Sequence, residues 1–278
     1  MAPTTPKFSN PPPTCKYCIL SFPSPAILLI TLNRPKSLNC INMDGHAELE
    51  ATYAWLDVEP SLRVGILTGN GRAFCAGADL KEWDSQNAAG KPRAMPPTGF
   101  GALSRRTGRK PVIAAVNGIC FGGGCEMIIN CDMVVASRKA TFALPEVKRG
   151  VIALAGALPR LIRTVGRPRA MEMALTGRTL PAEEAREWGL VNKVVGDEDG
   201  EVVAAAVEMA TLVAENSPDA VIVSREGIKL GWEAIGADEA TRLLMESWYP
   251  RLLQGENIKE GVRAFVEKRK PNWEESNL

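Results

Sequence analysis

Apolar residues recur along this chain with two periods, and the period changes about half-way. Residues 18–22 and 26–32 are apolar runs around Pro23-Ser24-Pro25, which predicts two strands joined by a tight turn. Leu49, Tyr53 and Leu56 fall at helical spacing and predict a helix over residues 43–56. Further strands are expected over residues 62–68, 112–116 and 133–136. From about residue 155 the spacing becomes helical. Helices are expected over 157–165, 169–175, 182–188, 202–215, 220–232, 238–248 and 258–268. Residues 84–110 are rich in Gly, Pro, Ser and Arg with little periodicity, and read as a long functional loop. Strands alternating with helices, then helices alone, describe an α/β core with a helical C-terminal appendage. The expected division is a Pro-rich flexible arm over 1–17, a core over 18–200 and a helical region over 201–278.

Composition narrows the function. The 278 residues hold 33 Lys and Arg against 32 Asp and Glu, so no net field favours nucleic acid or an anionic membrane as a partner. No apolar run approaches the roughly 20 residues of a membrane span. Seven cysteines, an odd number, read as thiols in a reducing compartment and not as a disulfide framework. Cys15 and Cys18 have the spacing of half a zinc site, but no second pair exists and His46 is the sole histidine. No metal is expected. His46 lies one turn before Leu49 on one helix face and is expected to be a packed or half-exposed helix residue and not a catalytic one. Pro3, Pro6, Pro11, Pro12 and Pro13 forbid an amphipathic transit helix. At the other end, Ser276-Asn277-Leu278 shares its first and last residues with the peroxisomal Ser-Lys-Leu signal. The expected location is peroxisomal or cytoplasmic.

Two segments share one layout of strand, small residues and helix start. The first runs Ala73-Phe74-Cys75-Ala76-Gly77-Ala78-Asp79-Leu80-Lys81, and the second Gly118-Ile119-Cys120-Phe121-Gly122-Gly123-Gly124-Cys125-Glu126. Small residues admit a ligand close to the backbone, and the first N–H groups of a helix lack intrahelical partners. Two such termini facing each other would bind one carbonyl oxygen and stabilise charge developing on it, where a single donor is worth about 3 kcal/mol. Neither segment has the spacing of a dinucleotide or phosphate loop. Glu126 opens a helix in an otherwise apolar stretch, where burial tends to raise a carboxyl pKa and suit it to proton transfer. Glu146 follows Phe142-Ala143-Leu144-Pro145 in a similar setting; taken alone it also fits an exposed turn residue.

Together these residues resemble the two oxyanion-hole signatures of the enoyl-CoA hydratase/isomerase (crotonase) superfamily. Similarity extends to Leu32-Asn33-Arg34-Pro35-Lys36-Ser37-Leu38-Asn39, to Leu175-Thr176-Gly177-Arg178 and to Ala264-Phe265-Val266-Glu267-Lys268-Arg269, and so spans roughly residues 18–271. The resemblance implies a core of repeated ββα turns and a helical C-terminal region that drives assembly into homotrimers or hexamers. It implies that the N–H groups of Ala78 and Gly123 hold a thioester oxygen. Lys36, Ser37, Leu38, Ala76, Asp79, Leu80 and Lys81 would lie along coenzyme A, which is part of the substrate, so no separate cofactor is expected. Hydrating members carry glutamates at the positions of Glu126 and Glu146, and the pair favours hydration of a 2-enoyl-CoA or the reverse dehydration.

One region departs from the pattern. Typical hydratases read Leu-Gly-x-x-Pro-Gly-x-Gly-Gly after the second glutamate. This chain reads Arg149-Gly150-Val151-Ile152-Ala153-Leu154-Ala155-Gly156-Ala157-Leu158-Pro159. Losing a proline and two glycines and gaining Leu154 should reshape the wall around the acyl group. A branched or substituted acyl group is therefore expected, as in carnitinyl-CoA dehydratases and the mevalonyl-CoA hydratases of siderophore assembly, which are similar proteins. Isomerase, thioesterase or decarboxylase chemistry on the same oxyanion hole stays open at this stage, as does a non-catalytic acyl-CoA-binding role.

Overall fold

A computed structural model describes residues 8–90, 96–233 and 235–278. Two sheets lie at its centre. The larger has six strands in the order β1-β2-β3-β5-β7-β10, formed by β1 (Cys18–Ser24), β2 (Ile27–Leu32), β3 (Val64–Gly69), β5 (Val112–Val116), β7 (Met133–Ser137) and β10 (Lys193–Val195). The smaller has four in the order β4-β6-β8-β9, formed by β4 (Ala73–Cys75), β6 (Ile119–Phe121), β8 (Thr141–Ala143) and β9 (Leu180–Pro181). Pairing is parallel except between β1 and β2 and between β8 and β9. Every residue of β3 and β5 is buried, as expected of parallel strands covered on both faces.

The chain climbs in repeated turns. Each turn lays one strand in the large sheet, steps to a short strand in the small sheet, and then enters a helix. β3 and β4 lead to α2 (Leu80–Ala88), and β5 and β6 lead to α3 (Gly123–Ile129). β7 and β8 lead to a short 3₁₀ turn over Pro145–Arg149. The expected ββα core is therefore present, with one correction. Residues 84–110 are not one long loop: α2 runs on to Ala88, and a 3₁₀ turn occupies Phe100–Ala102. Three-residue strands such as β4, β6 and β8 escape a reading of periodicity because three positions carry no period.

α1 (Met43–Val58) starts where the Asn42 side chain accepts the Gly45 N–H at 3.0 Å. Helices α4 (Ala157–Val165), α5 (Arg167–Thr176) and α6 (Ala182–Glu187) complete the inner layer. α7 (Glu201–Ala214) sets Val202, Ala205, Ala206 and Ala210 against Ile27, Val64, Ile66, Ile113, Ala115 and Val135 on the outer face of the large sheet. The expected boundary at residue 200 thus cuts a packed unit, because α7 covers a sheet face that would otherwise be bare. The outer helices are α8 (Pro218–Trp232), α9 (Ala237–Ser247), α10 (Tyr249–Gln254) and α11 (Glu256–Val266). No helix among the described residues is long and apolar enough to cross a membrane.

The first and the last described stretches fold back, and residues 1–7 of the expected arm lie outside the described residues. The stretch expected as a flexible arm is, over residues 8–17, docked on α1. Phe8 packs on Phe22 and Trp55, and Trp55 donates to the Asn10 carbonyl at 3.1 Å. The Trp273 indole donates to the Glu215 carbonyl, and Ser276 and Leu278 line a cavity of about 60 Å³ beside Arg63 and Lys110.

Candidate active site

Local backbone strain marks the start of α3. Gly122 has φ +55, a left-handed conformation that only glycine adopts freely, and it turns the chain from β6 into the helix. A side chain on Gly124 would run into the Cys75 carbonyl, so the helix lies directly on β4. A side chain on Gly123 would meet the Phe100 ring at 2.6 Å. The first residues of α3 have no intrahelical acceptor for their N–H groups, and that of Gly123 is one of them.

The facing wall comes from the segment after β4. The Ile41 N–H donates to the Gly77 carbonyl at 3.0 Å, and the Asp79 N–H donates to the Ile41 carbonyl at 3.2 Å, closing a parallel bridge between Ile41 and Ala78. In that pattern the N–H of Ala78 points away from Ile41. Gly77, at φ +95, brings this segment against α3: a Cβ there would lie 3.2 Å from the Gly123 nitrogen. The two expected oxyanion donors thus sit on adjoining strands of backbone.

Glu126 stands one turn into α3, only 4% exposed, and its Oε2 accepts the Ala157 N–H at 3.2 Å. Glu146 occupies the 3₁₀ turn after β8, half-buried, with Oε1 lying 3.2 Å from where a Cβ of Gly122 would be. Its Oε2 is buried without a hydrogen-bond partner among the described residues. Burial pushes the Glu146 carboxyl above its ordinary value, against the opposing pull of its own backbone N–H. The fold therefore brings both glutamates to the N-terminal end of α3, beside the backbone donors.

The residues expected along coenzyme A form one rim. Lys36 and Ser37 are exposed on a 3₁₀ turn, and Leu38, left-handed at φ +50, accepts the Ala76 N–H at 3.0 Å with its carbonyl. Leu80 and Lys81 project at the start of α2. Asp79 on this rim also has a structural partner. Its carboxylate pairs with Arg34 at 2.8 Å, and Arg34 also donates to the Cys40 carbonyl at 2.7 Å. Burial opposes the ionisation of Asp79, and the Arg34 hydrogen bond and charge overcome it, holding the carboxyl below its ordinary value. Leu154 is 78% exposed on the loop before α4, while Ala153 and Ala155 on either side are buried anchors.

The periodicity of the chain hides a third wall. Residues 98–106 run between α1, α3 and the loop before α4. Phe100 and Ser104 on this segment are buried, and the His46 Nδ1 accepts the Gly101 N–H at 3.0 Å. His46 is the packed helix residue expected. Elsewhere, Cys15, Cys18 and Glu48 bring ligand-type atoms within 4.8 Å of one another. Both Glu48 oxygens already accept backbone N–H groups, from Lys16 and Tyr17 at 2.8 Å each, and burial pushes the Cys18 thiol well up. All seven cysteines are free thiols.

Comparison with known proteins gives the family. Residues 24–276 match the family described as enoyl-CoA hydratase/isomerase. The mevalonyl-coenzyme A hydratase of Aspergillus fumigatus is 54% identical over 266 residues, covering 96% of this chain and 98% of that protein. That of Beauveria bassiana is 53% identical, covering 98% of this chain and 99% of its own length. Among solved structures, an enoyl-CoA hydratase from Mycobacterium tuberculosis superposes with a TM-score of 0.84 at 36% identity, covering 92% of this chain and 98% of that one.

Proposed function

This chain belongs to the enoyl-CoA hydratase/isomerase family, and from that premise we propose that its substrate is a 3-methyl-branched acyl-CoA of the mevalonyl kind. It is a hydro-lyase that adds water across the C2–C3 bond of a substituted 2-enoyl-CoA, or removes it. A mevalonyl thioester carries a hydroxyl and a methyl group on C3, so loss of water across C2–C3 leaves a 3-methyl-2-enoyl thioester. The observation that carries this reading is the identity of more than half over nearly the whole chain to two proteins named for that acyl group. The loop over residues 149–159, where the family's proline and glycines are replaced, supports it by altering the wall next to Glu126.

The mechanism follows from the site. The thioester oxygen lies between the Ala78 and Gly123 N–H groups, which strengthen their hold as enolate charge develops on it. Glu126 takes a proton from the water that adds to C3. Glu146, whose carboxyl burial pushes above its ordinary value, supplies the proton to C2. Water and two carboxylates are sufficient for this chemistry, with coenzyme A as a handle on the substrate. The apolar side chains of Val262, Phe265 and Val266 on α11, with Phe265 85% exposed, are read as contacts between copies in a homotrimer or a hexamer of two trimers.

Turnover of a 3-methyl-2-enoyl-CoA bearing a terminal hydroxyl, compared with a straight-chain 2-enoyl-CoA, tests the substrate. The expected result is a kcat/KM at least about 10-fold higher for the branched ester. A preference for the straight chain contradicts the proposal.

A further inference from the structure

We propose that Ser104 is a positioning residue for the hydration, a single buried hydroxyl that aligns the Gly123 oxyanion donor with the Glu126 carboxylate. The inference rests on the roles given to those two groups above. Ser104 is fully buried on the segment that crosses behind the site. Its hydroxyl accepts the Phe100 N–H at 2.7 Å and donates to the Ala155 carbonyl at 2.7 Å.

One arm of this relay ends on the oxyanion hole. The bond from Ser104 fixes the backbone of Phe100, and the Phe100 ring fills the space beside Gly123, 2.6 Å from where a Cβ would stand. The ring has little freedom to tilt. It meets the His46 ring edge-on at 4.8 Å, and His46 in turn accepts the N–H of the next residue, Gly101. Movement of Phe100 would release the first residue of α3 and the N–H it offers to the thioester oxygen.

The other arm ends on the carboxylate. Ala155 lies two residues before Ala157, whose N–H donates to Glu126 Oε2 at 3.2 Å. Between them stands Gly156 at φ +112, so the direction of the Ala157 N–H is set by how Ala155 is held. Further ties keep the segment between α1 and α3. The Thr98 hydroxyl pairs with Glu50 at 3.1 Å, and the Asn130 side chain donates to the Leu103 carbonyl at 2.8 Å. Only a side chain that both accepts and donates can serve the two arms at once, and serine does so in the smallest volume.

The test compares the wild-type protein with Ser104→Ala and Ser104→Cys. It reads kcat and KM on the active thioester, and the carbonyl stretch of a bound, ¹³C-labelled CoA thioester by infrared difference spectroscopy. The carbonyl band reports polarisation by the oxyanion donors directly. Ser104→Ala is expected to lower kcat by about 10–100-fold with KM changed by less than about 3-fold, the pattern of groups misplaced around a substrate that still binds. Its bound carbonyl band should move back toward the frequency of the free ester. Ser104→Cys, nearly isosteric and a weak donor and acceptor, should restore part of both. Unchanged kcat and an unchanged band in folded Ser104→Ala would overturn the proposal, and so would a loss carried wholly by KM. If Ser104→Ala does not fold, the same two readings on Ser104→Cys decide. Wild-type protein without water-transfer activity would count against the proposed function, while the band still reads the effect of Ser104.

Discussion

The ring of Phe100 occupies the place that a side chain on Gly123 would take. This one relationship explains why a glycine begins α3, and it ties the proposed oxyanion hole to the segment over residues 98–106. Gly123→Ala should therefore displace either the ring or the N–H, with kcat falling about 10²–10³-fold, as when one oxyanion donor is lost. Adding Phe100→Leu to Gly123→Ala makes room for the new methyl group and should recover part of the loss. Steady-state kinetics of the single and double variants check this, and a double variant no better than the single one would contradict it.

Removing either carboxylate should stop the chemistry and leave the fold. Glu126→Gln and Glu146→Gln are each expected to lower kcat by about 10²–10⁴-fold, with binding of a CoA thioester retained. Titration calorimetry on the variants separates a lost catalyst from a lost binding site. Substantial turnover in both variants would show that the carboxylates have been assigned wrongly.

The raised pKa of Glu146 makes a stability prediction of definite sign. The folded protein holds this proton more tightly than the unfolded chain does. Its contribution to stability is therefore present below the ordinary carboxylate value and is lost as pH rises through the raised folded value. At neutral pH a half-buried carboxylate with one buried oxygen that has no hydrogen-bond partner among the described residues is a liability that an amide does not share. Glu146→Gln should raise Tm at pH 7 by an amount on the order of a few degrees, and the gain should shrink toward pH 4. The same group sets a limb in the rate profile. In the hydrating direction kcat/KM should decline as pH rises through the raised Glu146 value, because the proton donor is then ionised.

The ion pair of Arg34 with Asp79 braces the turn that carries Ala76 and Ala78. Arg34→Ala leaves the Asp79 carboxylate half-buried without its partner and the Cys40 carbonyl without its donor. The expected result is a KM for the CoA ester raised several-fold, about 3–10-fold, with a smaller change in kcat. Equal kinetics in Arg34→Ala and wild type would show that the rim holds its shape without the pair.

Much of this was legible in the chain. The runs over 112–116 and 157–165 match β5 and α4 residue for residue, because an uninterrupted apolar run and a clear 3.6 period each dominate locally. Helices α7, α8, α9 and α11 were legible to within two residues at each end, whereas the six residues of α10 were not expected as a helix. The glycines around Ala78 and Gly123 were legible as close backbone approaches, and the structure shows those approaches against Cys75 and Phe121. The wall made by Phe100, Ser104 and His46 was not. Its contacts join residues about 50 positions apart, and no local pattern records a hydroxyl whose partners are two backbone groups from separate loops. The docking of residues 8–17 was hidden similarly, since the prolines that forbid a helix say nothing of the aromatic surface on Phe22 and Trp55 that receives Phe8.

Assembly is checked by sedimentation equilibrium. A mass three or six times that of the protomer is expected, and Phe265→Asp with Val266→Asp on the exposed face of α11 should shift it toward monomer. A monomeric wild-type protein would remove the reading of that face as a contact between copies.

Transfer of water across a C2–C3 double bond is read in the mass of the product. Purified protein is incubated with a 3-methyl-2-enoyl-CoA in ¹⁸O-labelled water and the thioester is weighed. The expected product is heavier by one labelled water and is formed by wild type and not by Glu126→Gln or Glu146→Gln. A thioester recovered without added water, or one that is merely isomerised, cleaved or decarboxylated, would contradict it.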